Sequence, residues 1–165
     1  MDIIKTKHNG RWYTIYKQDW GMDCGPTCVA MAKLCLTGVG SDIDWLRKHT
    51  QAKLVSPGIA AKISALGLEP HQGTKRSNCL PLAKSIGLQA EYKHVPPSSL
   101  LGSLQASGHN RVFICHVKWN GPGGHFVVVP HVDGNEVVVL DPYYGITNHQ
   151  SMAEISRWIF YRQCC

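Results

Sequence analysis

Apolar positions in this chain follow two regimes. In VAMAKLCL the residues Val29, Ala30, Met31, Ala32, Leu34 and Leu36 crowd too densely for one helix face, which predicts a helix buried nearly all round. From Arg111 onward the pattern changes to short, valine-rich runs, RVFICHVKW, HFVVVP and EVVVLD, bounded by Gly, Pro, Asn or Asp; these read as strands. His131-Val132-Asp133-Gly134-Asn135 joins the last two runs, and its Asp-Gly step predicts an antiparallel hairpin with His131 at the turn. Shorter helices are expected between the regimes. SDID at Ser41 to Asp44 is a capping-box variant opening a helix to about His49. Ser56-Pro57 opens another that stops at Gly67, Asn78 caps one that ends at Gly87, and Ser98 or Ser99 begins one ending near Gly108. MAEISRWIFYRQ closes the chain as helix or strand. Helices first and an antiparallel sheet second make an α+β arrangement.

The helical regime begins with chemistry. In QDWGMDCGPTCVAMA, Cys24 stands at the mouth of the buried helix, with Gly25 to ease a sharp turn and Pro26 suited to the first turn. The helix dipole and unpaired N–H groups there favour a thiolate, the form that attacks. Gln18 places an amide donor upstream of it. The strand regime supplies a base. His125 follows the flexible GPGG segment and opens a wholly apolar run, so it is expected at the rim of the sheet, while Asp141 ends the next run. An antiparallel hairpin brings those strand ends together and sets His125 beside Asp141, the relation of a base to its orienting carboxylate.

Composition bounds the alternatives. At 165 residues the chain suits one domain, typically about 100 to 200 residues. No apolar run reaches the roughly 20 residues of a bilayer span, and MDIIKTKHNGRWYTI lacks the apolar core of a secretory signal. The chain is thus expected to be cytoplasmic as made, with no membrane partner. Net charge is +6, but the basic residues are scattered and not interleaved with aromatics, so no dedicated nucleic-acid site is expected. Lys5, Lys7, Arg11 and Lys17 read as a solvated N-terminal surface. Seven cysteines, odd in number and irregularly spaced, argue against a disulfide framework. Cys28, Cys35 and Cys115 are expected to be buried, Cys79 partly exposed, and Cys164 and Cys165 frayed or oxidised. No histidine pair has a recognised zinc spacing, so neither metal nor cofactor is expected. His8, His49, His71, His94, His109 and His149 read as surface residues, and of His116 and Cys115 one faces the core and the other away.

On these residues the chain resembles the papain-like cysteine peptidases, and within them the bacteriocin-processing peptidases that cut leader peptides after paired glycines. The likeness is carried by the block from Gln18 to Cys28, by GGHFVVV at His125 and by VLDPYYG at Asp141, in the family's order, with LQAEYKHV and a short helix near Leu100 between them. Cys-Gly-Pro alone also resembles a thioredoxin-type loop, but Cys28 lies four residues on and no βαβ pattern precedes it. The resemblance implies a papain-like two-lobe fold in a single domain 1–165, with a helical lobe at about 18–108, a β lobe at about 109–165 and the active site between. In it Cys24 attacks the scissile carbonyl, His125 moves the proton, Asp141 orients the imidazole, and Gln18 with the Cys24 N–H binds the oxyanion. Trp20 and Asp23 flank the nucleophile as loop packing and helix cap, or as substrate contacts.

The implied partner is a protein or peptide substrate with paired glycines. Processing peptidases usually precede a transporter's membrane domain. With none following here and no signal, the expectation is a self-standing bacterial effector or toxin domain, carried into a target cell by a specialised secretion system and matched by an immunity or inhibitor protein. Two alternatives stay open: a deamidase or transglutaminase using the same Cys-His-Asp set, and a catalytically dead peptide-binding module, against which the full set of Gln18, Cys24, His125 and Asp141 argues.

Overall fold

The first element is a β-hairpin, where the sequence reading expected only a solvated N-terminal surface. Strands β1 (Ile3–His8) and β2 (Arg11–Tyr16) are joined by Asn9-Gly10, both at positive φ (46° and 78°), the backbone that a two-residue turn needs to match strand twist. Ile4 pairs with Ile15 and Thr6 with Tyr13 on its inner face, and Tyr13 and Ile15 are buried in the core. Lys5, Lys7 and Trp12 lie on the outer face and are exposed. In this computed structural model the described residues are 2–18, 23–46, 76–94, 99–106, 111–118, 124–133, 136–149 and 163–164.

Helix α1 (Cys24–Thr37) starts at Cys24 and is closed by Gly38, whose φ of 70° lets its N–H reach the Leu34 carbonyl at 2.9 Å. Burial holds from Cys24 to Ala32 only; Cys35 and Leu36 are exposed, so all-round burial and a buried Cys35 are both corrected. After α1, Asp42 Oδ1 accepts from the Trp45 N–H at 3.0 Å and opens a helical turn over 43–46, taking the capping place expected of Ser41. The rest of that helix, the one expected from Ser56-Pro57 to Gly67, and 152–162 of the closing segment lie outside the described residues.

Helix α2 (Arg76–Ser85) begins before Asn78, which therefore sits inside the helix and does not cap it. Its end is as expected: Gly87, at φ 85°, donates to the Lys84 carbonyl at 3.1 Å and Leu88 to Ala83 at 3.1 Å, a double closure that satisfies two end carbonyls. Cys79 is fully buried on this helix, not partly exposed. Strand β3 (Lys93–His94) and helix α3 (Leu100–Gln105) follow, with Ser99 at the N-cap position of α3.

The remaining strands are β4 (Phe113–Lys118), β5 (Gly124–Asp133), β6 (Glu136–Asp141), β7 (Gly145–His149) and β8 (Gln163–Cys164). They form an antiparallel six-stranded sheet in the order β3-β8-β4-β5-β6-β7. Cys164 pairs with Cys115 and Lys93, so it is part of the sheet and not a frayed end. One sheet face brings Ile114, Phe126, Val128, Val138 and Leu140 into a core with α1, α2 and the hairpin; the other gathers Cys115, Val117, Val127, Val129, Val137 and Val139 with Leu104. A sheet covered on both sides needs apolar residues at every position, which is why its strands read as unbroken valine runs. The α+β expectation holds. His116 is only half-buried while Cys115 is fully buried, in keeping with alternation, and His116 lies against the Phe126 ring at 4.9 Å.

Candidate active site

A β-bulge sets the geometry of the site. At its turn end the β5–β6 ladder pairs Asp133 with Glu136, Val132 with Val137 and His131 with Val138. Continued without a break, that register would oppose Asp141 to Val128. The ladder instead slips between His131 and Val128, and Val128 meets Leu140. Asp141 thereby moves opposite Val127, onto the face that carries His125 and one diagonal step from it, within reach of long side chains. The sequence reading set the two side by side; the structure makes them diagonal neighbours.

The side chains meet. His125 is 3% exposed and Asp141 fully buried, and His125 Nε2 lies 2.9 Å from Asp141 Oδ1. The same oxygen accepts from the backbone N–H groups of Tyr143 at 2.7 Å and Tyr144 at 3.1 Å. With Nε2 committed to the carboxylate, the ring's second nitrogen is left for sulfur, and the Cys24 side chain hydrogen-bonds with His125. Burial alone would lower the imidazole pKa; the hydrogen bonds to Asp141 and Cys24 and the charges of both outweigh it and raise the pKa to about 9. At neutral pH the ring is an imidazolium between sulfur and carboxylate.

Cys24 is buried at the first residue of α1, where backbone N–H groups have no partner within the helix. Asp23 precedes it at the N-cap position with φ −91° and ψ 7°, buried, and its side chain does not cap the helix. Trp20 lies outside the described residues. Gln18 is half-buried just after β2, and its N–H donates to the Pro142 carbonyl at 2.9 Å. Cys24, His125 and Asp141 thus form one hydrogen-bonded chain, and Gln18 is tied to the turn that follows Asp141. Sequence reasoning missed that turn's part: two N–H groups hold Asp141 and one carbonyl holds Gln18. Asp-Pro before Gly145, which takes φ 100°, was the available signal for a tight turn whose aspartate bonds its own backbone.

Two histidines are not where the sequence placed them. His131 lies within β5, not at the turn, with its Nε2 2.9 Å from the Tyr13 hydroxyl and its ring stacked on Tyr13 at 5.6 Å. His8 is partly buried against Glu136, 3.3 Å from Oε2, and Asn9 Nδ2 donates to the same oxygen at 2.8 Å. Among the described residues no group of three or more His, Cys, Asp or Glu side chains is gathered to hold a metal.

The model of the peptidase C39 family matches residues 60–158, a stretch that contains both His125 and Asp141. This chain belongs to the peptidase C39 family. It is a cysteine peptidase. Its fold is similar to the peptidase domain of Streptococcus ComA, a bi-functional ABC transporter involved in a quorum sensing pathway, at TM-score 0.67 and 20% identity over 92% of this chain and 95% of that one. A double glycine motif protease from an AMS/PCAT transporter, solved in complex with the leader peptide, is similar at TM-score 0.61 and 21% identity over 91% of this chain and 86% of that one. The peptidase domain of Streptococcus mutans ComA is similar at 0.57 and 16%, over 91% and 94%. No curated protein matches the sequence. Among the described residues no helix is long and apolar enough to cross a membrane.

Proposed function

We propose that this C39 peptidase cuts protein substrates after paired glycines, with Cys24 as nucleophile, His125 as proton carrier, Asp141 as its orienting group and Gln18 as oxyanion donor. The observation that carries the assignment of roles is the hydrogen-bonded chain Cys24–His125–Asp141, with Nε2 to Oδ1 at 2.9 Å. Cys24 Sγ attacks the scissile carbonyl carbon. Charge developing on the carbonyl oxygen is met by the N–H of Cys24, which has no partner within the helix, and by the Gln18 side-chain amide. The imidazolium then gives its proton to the departing amine, and the C–N bond breaks to leave a thioester on Cys24. Water attacks the thioester as His125 takes its proton, and the C–S bond breaks to release the acid product and restore the thiolate–imidazolium pair. Asp141 holds the ring in place throughout and faces a positive imidazolium before attack and after the second proton transfer.

One further point supports the choice of substrate: a protease similar in fold to this chain is a double glycine motif protease, solved in complex with the leader peptide. An effector or toxin role rests on no residue of this site and forms no part of the reading. The test is a comparison of proteomes exposed to the wild-type protein and to Cys24→Ala. New N-termini that follow Gly-Gly and appear only with the wild type are the expected result. Cuts after large apolar or basic residues would remove the glycine specificity, and a mass gain of about one dalton on intact chains would mean deamidation in place of cleavage.

A further inference from the structure

Two large aromatic residues stand on the turn that closes the site. Tyr143 is 46% exposed and Tyr144 61%, with ring centroids 4.8 Å apart and planes at 82°. Both lie largely outside the core, yet their backbone is pinned: each N–H donates to Asp141 Oδ1, and the carbonyl of Pro142 between Asp141 and Tyr143 accepts from Gln18. The rings are therefore carried on the segment that holds His125 in position. An exposed pair of amphipathic aromatics on a rigid support is a contact surface in waiting, because tyrosine supplies large area at small entropic cost.

The chemistry says which part of a peptide would meet them. His125 must hand its proton to the nitrogen that leaves, so the segment after the cut departs on the imidazole side of Cys24 Sγ. Beyond the imidazole on that side come Asp141 and its turn. We infer that Tyr143 and Tyr144 form the wall that receives the substrate downstream of the scissile bond, and that they favour an aromatic or large apolar side chain in the first position after the cut. Specificity would then be divided, with the upstream side demanding absence of side chains and the downstream side rewarding one. This inference rests on the peptidase reading of the same site.

The test uses internally quenched peptides that share an upstream Leu-Gly-Gly and differ only in whether Phe or Ser follows the cut. Wild-type protein should prefer Phe by about three- to tenfold in kcat/KM, the range of one aromatic pair interaction. In Tyr143→Ser/Tyr144→Ser, which keeps both N–H groups on Asp141, the ratio should fall toward one. A ratio near one in the wild type, or a preference for Phe that survives the double substitution, overturns the inference, whatever happens to the absolute rates. Should the wild type cut neither peptide, the glycine reading fails by itself. Calorimetry on Cys24→Ala then decides the wall separately: binding of a Phe-first octapeptide that is lost with the two tyrosines supports it, and absent or unaltered binding overturns it.

Discussion

Strand β5 carries a histidine near each end, and the two ends behave differently. At its start His125 lies between Asp141 and Cys24. Toward its far end His131 is stacked on Tyr13 and shares a hydrogen bond with the Tyr13 hydroxyl, above a groove of about 490 Å³ that Cys35 also lines. Both ends hold a histidine, a cysteine in the neighbourhood and a hydrogen-bond partner for the ring, so residue types alone do not separate them. Six residues apart in a regular strand, the two rings would share a face. The slip between Val128 and His131 puts them on opposite faces, one with Asp141 and one with the hairpin. The partner differs too: a buried carboxylate holds a charged imidazolium, whereas a phenol holds a ring in the packing between hairpin and sheet.

That contrast is most severely tested by truncating each end in turn. Cys24→Ala and His125→Ala should each abolish measurable turnover, because one removes the nucleophile and the other its proton carrier. His131→Ala should instead lower the melting temperature and leave cleavage in place. Persistent cleavage by folded Cys24→Ala protein, or a silent His131→Ala enzyme beside an active His125→Ala one, would mean that the chemistry has been assigned to the wrong end of β5.

Gln18→Ala should lower kcat by about a hundredfold to a thousandfold, the usual cost of one oxyanion donor, while alkylation of Cys24 by iodoacetamide continues. That reagent forms no tetrahedral oxyanion, so it reports only the sulfur. Loss of alkylation would make Gln18 a support for the nucleophile. Asp141→Ala should reduce turnover less than His125→Ala, since the imidazole remains, but it strips the acceptor from one buried and two part-buried N–H groups and should destabilise by about 2 to 4 kcal/mol. Chemical denaturation of both variants measures the split.

The charged end of β5 also predicts a pH dependence. His125 titrates near 6.5 in the unfolded chain and near 9 in the folded one. Below 6.5 both states hold the proton and the stabilisation is fully present. As pH rises from 6.5 to 9 only the folded state keeps the proton, so stability falls, by about 3 kcal/mol in all. Above 9 the loss is complete. The alkaline limb of kcat/KM should lie near the same upper value. Asp141→Ala should narrow this window, and a stability that is flat from pH 6 to 9 in the wild type would contradict it. The smallest expected effect belongs to the far end: Tyr13→Phe removes one hydrogen bond to His131 and should cost about 1 kcal/mol, with turnover retained.

Much of the site was legible in the order of residues. A thiol directly before Gly-Pro and a buried apolar run can be placed at a helix start without a structure, because glycine, proline and apolar density act locally. A histidine after Gly-Gly and an aspartate before Pro likewise mark strand ends. The N-terminal hairpin was equally legible and was missed: Asn9-Gly10 between two alternating runs is a strong short-range hairpin signal, masked by the lysines that made the segment look merely solvated. Asn78 shows the opposite error, a residue with capping chemistry that helix α2 simply runs through.

What the sequence determined by itself was local: which residues start a helix, which runs extend, and which side chains have the chemistry of attack and proton transfer. Tertiary structure decided the relations between them. The bulge in β5 chose which histidine shares a face with Asp141, because a one-residue slip in a strand turns every side chain to the other side and no local propensity records it. The meeting of α1 with the sheet made a thiol, an imidazole and a carboxylate into one coupled unit, in which the hydrogen bonds and charges of Asp141 and Cys24 raise the imidazole pKa against the opposing effect of burial. The turn after Asp141 joined Gln18 to that unit through a backbone carbonyl, a group that every residue carries and no sequence pattern distinguishes.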